Sequence, residues 1–309
     1  GDNNRATIYA LMESESLTGA FQFILFPGAQ STVEVIANIF VRKSVARIGI
    51  APLTSMFFAG ENDRRQRDDY RPELHDSDGL LIHSGAGEWI WRPLRNPKEP
   101  ENSAFLENGV RGFGLMQRDR TFEHYQDLDL TYERRPGYWI EPHEGFGEGQ
   151  VELVELPTGD ETNDNIVAFW RPRAPVEAGQ TLTFRYRMRS LSGTDGLNPG
   201  GKTVNTFRTR AAALGSSEAT PPGSPRFILD FAGGDLEYHL AAAQNVQVVA
   251  SASIGKVLRA SVMPNPQIRG FRAMIDIEAP VGQITDVRAF LKAGSRALTE
   301  TWTLPWKAE

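Results

Sequence analysis

Apolar and polar residues alternate with a period of two along much of the chain. In Thr181-Leu182-Thr183-Phe184-Arg185-Tyr186-Arg187-Met188 the apolar side chains share one face and Thr or Arg the other, which predicts a half-buried strand. Residues 270–279 repeat the pattern, with Phe271, Ala273, Ile275 and Ile277 on one side. Residues 33–41 and 151–156 are rich in branched or apolar side chains and predict further strands. Helix-period windows are scarce, and the best is a short one around residues 235–244. The expected class is all-β.

A Gly- and Pro-bearing stretch, Ser192-Gly193-Thr194-Asp195-Gly196-Leu197-Asn198-Pro199-Gly200-Gly201-Lys202, cannot sustain a strand ladder and predicts a linker. The division expected is 1–191 for a first domain, 192–203 for the linker and 204–309 for a second domain. Strand-like runs begin near Val204, Phe227, Val246, Val257, Phe271, Ile284 and Leu298, with a loop over residues 215–225. That spacing predicts an immunoglobulin-like sandwich, on spacing alone. Residues 60–180 hold long polar stretches, and long irregular segments in a compact domain are often functional.

At 309 residues the chain is one large domain or two, and 40% hydrophobic against 23% charged residues allows a buried core. A net charge of −6 argues against a nucleic-acid partner. No apolar run reaches the ~18 residues of a membrane span. The absence of cysteine excludes disulfides, thiolate nucleophiles and Cys-based zinc sites, and leaves the compartment open. The opening Gly1-Asp2-Asn3-Asn4 carries neither an initiator Met nor a signal peptide, so a processed or truncated piece is expected. Aromatic residues concentrate before residue 190, where flat stacking surface for sugars competes with ordinary core filling.

Four segments carry candidate chemistry. Arg71-Pro72-Glu73-Leu74-His75-Asp76-Ser77-Asp78-Gly79 crowds Arg, His and carboxylates, whose pKa values push apart when close; the plain alternative is a polar turn. Pro157-Thr158-Gly159-Asp160-Glu161-Thr162-Asn163-Asp164-Asn165 follows one strand and precedes another, a rigid mount for acids. Desolvation beside Trp170 would keep a proton on one of them; an acidic turn or a calcium loop is the alternative, the latter without EF-hand spacing. Gly112 and Gly114 suggest a phosphate loop, but G-x-G-x-x-G is not completed. Arg118 and Arg120, with His124, Tyr125 and Gln126, read instead as a polar wall that orients hydroxyl groups. Trp139, Trp89 and Trp91 are candidate sugar platforms, or core. The five histidines form no H-x-x-x-H pair, and no G-x-S-x-G occurs, so neither a metal nor an esterase elbow is expected. Carboxylates, aromatics and Arg remain, the vocabulary of a glycosidase or glycan binder.

The stretches Ile50-Ala51-Pro52-Leu53-Thr54-Ser55-Met56-Phe57, Tyr70-Arg71-Pro72-Glu73-Leu74-His75-Asp76-Ser77, Gly87-Glu88-Trp89-Ile90-Trp91-Arg92-Pro93-Leu94, Arg111-Gly112-Phe113-Gly114-Leu115, Val151-Glu152-Leu153-Val154-Glu155 and Asp160-Glu161-Thr162-Asn163-Asp164-Asn165-Ile166-Val167-Ala168 belong together. On them the chain resembles the periplasmic glucan biosynthesis proteins G and D of Gram-negative bacteria. The likeness is dense over residues 45–172 and looser to Trp302. It implies part of a large carbohydrate-type β-sandwich followed by an immunoglobulin-like sandwich, in the periplasm, with no cofactor. Members of the family are longer at their N-terminal side, so a preceding segment of the same protein is an expected partner, with a homodimer left open.

The resemblance further implies a role with osmoregulated periplasmic glucans, whose backbone is β-1,2-linked glucose. The D branch implies an inverting endo-β-1,2-glucanase. Asp164 matches its general acid and Asp76 the acid at the water end of a proton relay. Glu161 and Tyr132 match residues lining relay and cleft, and Arg71, His75, Trp89, Trp91, Arg118 and Trp139 are the remaining candidates for grip or relay. Asp76 and Asp164 are then expected in one long, aromatic-lined cleft, farther apart than the ~5–5.5 Å of a retaining pair. Two other classes compete: a non-catalytic glucan-binding or branching-assembly protein on the same scaffold, and an adhesin-like structural β-protein.

Overall fold

A computed structural model describes residues 4–63, 68–194, 196–211, 221 and 223–308. The opening Gly1-Asp2-Asn3 and most of the 215–225 loop lie outside the described residues. The chain is all-β and of the β-sandwich class. Among the described residues, α-helix is confined to the single turns Phe122–Tyr125 and Leu236–His239, the second inside the window with a helical pattern.

The chain divides into two compact units. The first comprises residues 1–58, 73–88 and 94–194, the second residues 59–72, 89–93 and 195–309. Two short excursions of the early chain thus belong with the later strands, a departure from the expected linear division.

In the first unit, seven antiparallel strands lie side by side: Ala6–Glu13, Leu17–Phe26, Thr32–Val41, Thr181–Leu191, Gly137–Glu144, Gly112–Met116 and Gly79–His83. A second sheet orders Ile50–Ser55, Ile166–Pro172, Glu148–Glu155 and Glu101–Asn108. Period-two alternation turns Val35, Ala37, Ile39 and Val41 inward. Phe146 ties the layers together, with its ring 5.8 Å from Trp170 of one sheet and 5.6 Å from Phe184 of the other. The Arg face of Thr181–Leu191 pairs across strands, Arg187 with Glu34 and Arg189 with Glu141. These pairs are partly exposed, so each adds at most about 1 kcal/mol.

The glycines Gly112 and Gly114 serve this packing. A Cβ on Gly112 would stand 2.1 Å from the Trp139 ring, and one on Gly114 would meet the Tyr138 carbonyl at the same distance. The motif that suggested a phosphate loop is therefore a recess for a buried tryptophan. Gly112→Ala is expected to destabilise the protein by about 1–3 kcal/mol through overpacking, measured by thermal melting.

In the second unit one sheet orders Lys202–Arg210, Pro225–Ala232, Gly270–Glu278 and Lys256–Asn265. The other orders Val246–Ala252, Ile284–Ala293, Thr301–Lys307 and Trp89–Pro93, the last pair parallel. Phe271, Ala273, Ile275 and Ile277 are all fully buried, as their alternation predicts, and the Phe227 and Trp302 rings meet 5.4 Å apart between the layers. On the opposite face of the first of these sheets, Asp230 is buried and receives a bidentate Arg272 guanidinium at 2.7 Å on each oxygen, with Asn205 and Asn265 completing its shell.

Candidate functional site

Asp76 leaves the short strand Leu74–His75, where its N–H donates to the Met56 carbonyl at 2.8 Å. Two residues on, the Asp78 carboxylate accepts the backbone N–H groups of Arg118 and Asp119, each at 2.9 Å. The segment is therefore held on both sides of Asp76. Its neighbour His75 is buried, stacked on Phe57 at 5.3 Å, and so has no surface with which to touch a substrate. Gln117 sets its protonation. The Gln117 amide nitrogen donates to the carbonyls of His75 and Tyr132, so its oxygen must accept from His75 Nδ1 at 2.9 Å. His75 Nε2 then faces the Glu73 carboxylate at 2.9 Å. Burial pulls the imidazolium down, but the Glu73 bond and charge, with Asp78 behind them, outweigh it and hold the pKa above its ordinary value.

The acidic loop sorts its three carboxylates by role. Asp160 is consumed locally: it accepts the N–H and hydroxyl of Thr162 and the amide of Asn163. Glu161 accepts the Tyr132 hydroxyl at 2.8 Å. Asp164 accepts none of the loop's internal bonds and stands exposed. Two buried amides nail the loop down at its ends. Asn165 donates to the carbonyls of Phe57 and Leu156 and accepts the Phe57 N–H, all within 3.0 Å. Asn96 bridges Phe58 and Thr158 in the same manner.

Asp76 and Asp164 meet at one cleft of about 180 Å³, shared with Arg135, Pro136, Tyr138, Leu115 and the hydroxyls of Thr54, Ser55 and Ser77. Arg135 Nε lies 3.2 Å from Asp76, close enough for an ion pair but not aligned as a hydrogen bond, and its guanidinium sits over the Tyr132 ring at 5.4 Å. Burial pushes the Asp76 carboxyl above its usual value; Arg135 and His75 pull it down and the charge of Asp164 pushes it up. A partly buried carboxylate with a raised pKa is a stronger base than a free one, and beside it stands a second acid that a bound ligand would cover.

The other candidate residues are distributed differently. Trp139 and Trp91 are buried and have no free face for a sugar, because strand alternation turns them into the cores of their own units. Trp89 is half-buried at the start of Trp89–Pro93, in the second unit. Arg71 belongs to that unit too, and its side chain and N–H are engaged by Asp69. Of the polar wall, Tyr125 is buried, and Arg120 donates to the Glu133 carbonyl at 3.0 Å. Arg118 takes part through its backbone, on Asp78. Glu73, Asp119 and His124 bring donor atoms within 4.8 Å of one another, a spacing a cation can bridge. Bonds to His75 and between Asp119 and His124 already engage them. Sequence reasoning missed Gln117, Arg135, Tyr138 and the Asn96–Asn165 pair. Arg135 and Tyr138 lie between two residues that were selected, Tyr132 and Trp139, and only their orientation was wanting.

Fold and cleft define an all-β sandwich protein with two carboxylates lining one cleft. Residues 1–306 match the family model described as "Periplasmic glucan biosynthesis protein, MdoG", and the chain belongs to that family. It is 46% identical over 306 residues to "Probable glucans biosynthesis protein D" of Shewanella oneidensis, covering 98% of this chain and 56% of that protein. It is likewise 46% identical over 315 residues to "Glucans biosynthesis protein D 1" of Ralstonia nicotianae, covering 97% and 58%. With "Glucans biosynthesis protein D" of Stenotrophomonas maltophilia it shares 43% over 303 residues, covering 97% and 56%. The chain thus spans somewhat more than half the length of these curated relatives. Among the described residues no helix is long and apolar enough to cross a membrane.

Proposed function

We propose that the protein acts in the periplasm on osmoregulated glucans, as an inverting endo-β-1,2-glucanase. The carrying observation is the pair itself: Asp76, with its raised pKa, and Asp164, exposed and outside its loop's internal bonds, line one cleft. The relatives bear the D name, the branch for which the resemblance implies hydrolysis. In this reading Asp164 enters the reaction as the acid and carries the proton. Asp164 gives that proton to the glycosidic oxygen as its bond to the anomeric carbon breaks. A water attacks that carbon from the opposite face, and its proton passes to Asp76, directly or through intervening hydroxyls. The Arg135 charge keeps Asp76 ready to receive it.

The test is incubation of the purified protein with linear β-1,2-glucan, counting new reducing ends and reading the first-formed anomer by NMR. Release of the α-anomer supports the reading, and the β-anomer rejects inversion. Binding with no new reducing ends would favour a glucan-binding protein on the same scaffold.

A further inference from the structure

Among the described residues the acid cleft is lined by one aromatic, and it is the neighbour of the tryptophan that sequence reasoning selected. Along Gly137–Glu144 burial alternates at the start, so Trp139 turns into the recess at Gly112 and Tyr138 turns the other way. Tyr138 pairs directly with Leu115 on the adjacent strand. Opposed residues of an antiparallel pair present their side chains to the same face, and both line the cleft. Tyr138 is 39% exposed between buried Gly137 and buried Trp139. Among the described residues its hydroxyl has no hydrogen-bond partner. The floor around it, from Leu53, Leu115 and Pro136, is apolar, while Asp76, Asp164 and Ser77 supply polar groups.

That division matches a pyranose, which has a C–H face for an aromatic ring and hydroxyls at its edge for carboxylates and serine. We propose that Tyr138 is the stacking platform of the cleft, seating a sugar ring beside the two carboxylates. This rests on the glucan reading of the cleft. Tyr138 contributes to binding the sugar and takes no part in proton transfer.

The test compares Tyr138→Ala and Tyr138→Phe with the unaltered protein, using linear β-1,2-glucan, kinetics of reducing-end release and calorimetric binding. Tyr138→Ala is expected to raise KM and Kd about 5–10-fold, with kcat within about twofold and an unchanged melting curve. Tyr138→Phe keeps the ring and is expected to bind like the unaltered protein. Leu106→Ala, an exposed apolar residue at a separate cleft of the same unit, serves as the control and should change neither constant. An unchanged KM in Tyr138→Ala, or a loss in Tyr138→Phe equal to that in Tyr138→Ala, overturns the platform and leaves the glucan reading standing. Failure of the unaltered protein to bind or cleave the glucan overturns both.

Discussion

Asp164→Asn is expected to slow hydrolysis of linear β-1,2-glucan by about 10²–10⁴-fold while leaving the fold and glucan binding intact. An amide has the size of the carboxyl group but carries no transferable acid proton. Asp164 is exposed and takes none of its loop's internal bonds, so the substitution removes nothing that holds the loop. Asp76→Asn should lose activity on a similar scale, but it also strips Arg135 of its ion-pair partner, so Asp164 is the cleaner probe. Turnover, melting temperature and glucan affinity measured on one preparation decide the matter. Near-normal turnover by folded Asp164→Asn protein would remove Asp164 from the mechanism.

The largest expected loss of stability lies in the second unit, at Asp230. Its carboxylate is buried and bound by Arg272, Asn205 and Asn265. Asp230→Ala leaves those donors without an acceptor in a buried site. The expected cost is about 3 kcal/mol, toward the lower end for a broken buried pair because Arg272 can turn toward water. Burial alone would raise the Asp230 carboxyl, but its donors hold it below the ordinary value. A depressed folded pKa stabilises the native state above the unfolded value, about 3.9, and the contribution drains away as pH falls through the folded value. Urea unfolding should therefore show the full gap between Asp230→Ala and the unaltered protein at pH 7, and a narrowing gap below about pH 4. A gap independent of pH would mean that Asp230 acts through shape and not charge.

These outcomes bear on how much the chain declares by itself. Strand positions were legible because alternation is a local property: the runs at Phe227, Phe271 and Ile284 all fall inside strands. The phase of a strand was less so. The sequence shows that Tyr138 and Trp139 face opposite ways, but which one meets the core depends on the glycines of the neighbouring strand. The acids were legible as a group, since Asp160, Glu161 and Asp164 stand within five residues, and the resemblance singled out Asp164. Which of them is used up by turn bonds became visible only with the turn itself. His75 shows the same limit: it stood as a candidate for grip or relay, and its partners Gln117 and Glu73 make its burial tolerable. The assignment of residues 59–72 and 89–93 to the second unit depends on contacts across long sequence separations, which no local pattern reports.

The two buried amides that anchor the acidic loop have a consequence for protein engineering. Asn96 and Asn165 grip backbone atoms at Thr158 and Leu156 and on the Phe57–Phe58 segment, not the side chains in between. The stretch between the anchors thus behaves as a cassette: its ends are clamped independently of what it displays. Libraries randomised at residue 164, which takes none of the loop's internal bonds, can therefore sample new acids, amides and thiols on an undisturbed mount. The absence of cysteine from the chain would make any thiol selected there unique in the molecule, ready for a covalent probe.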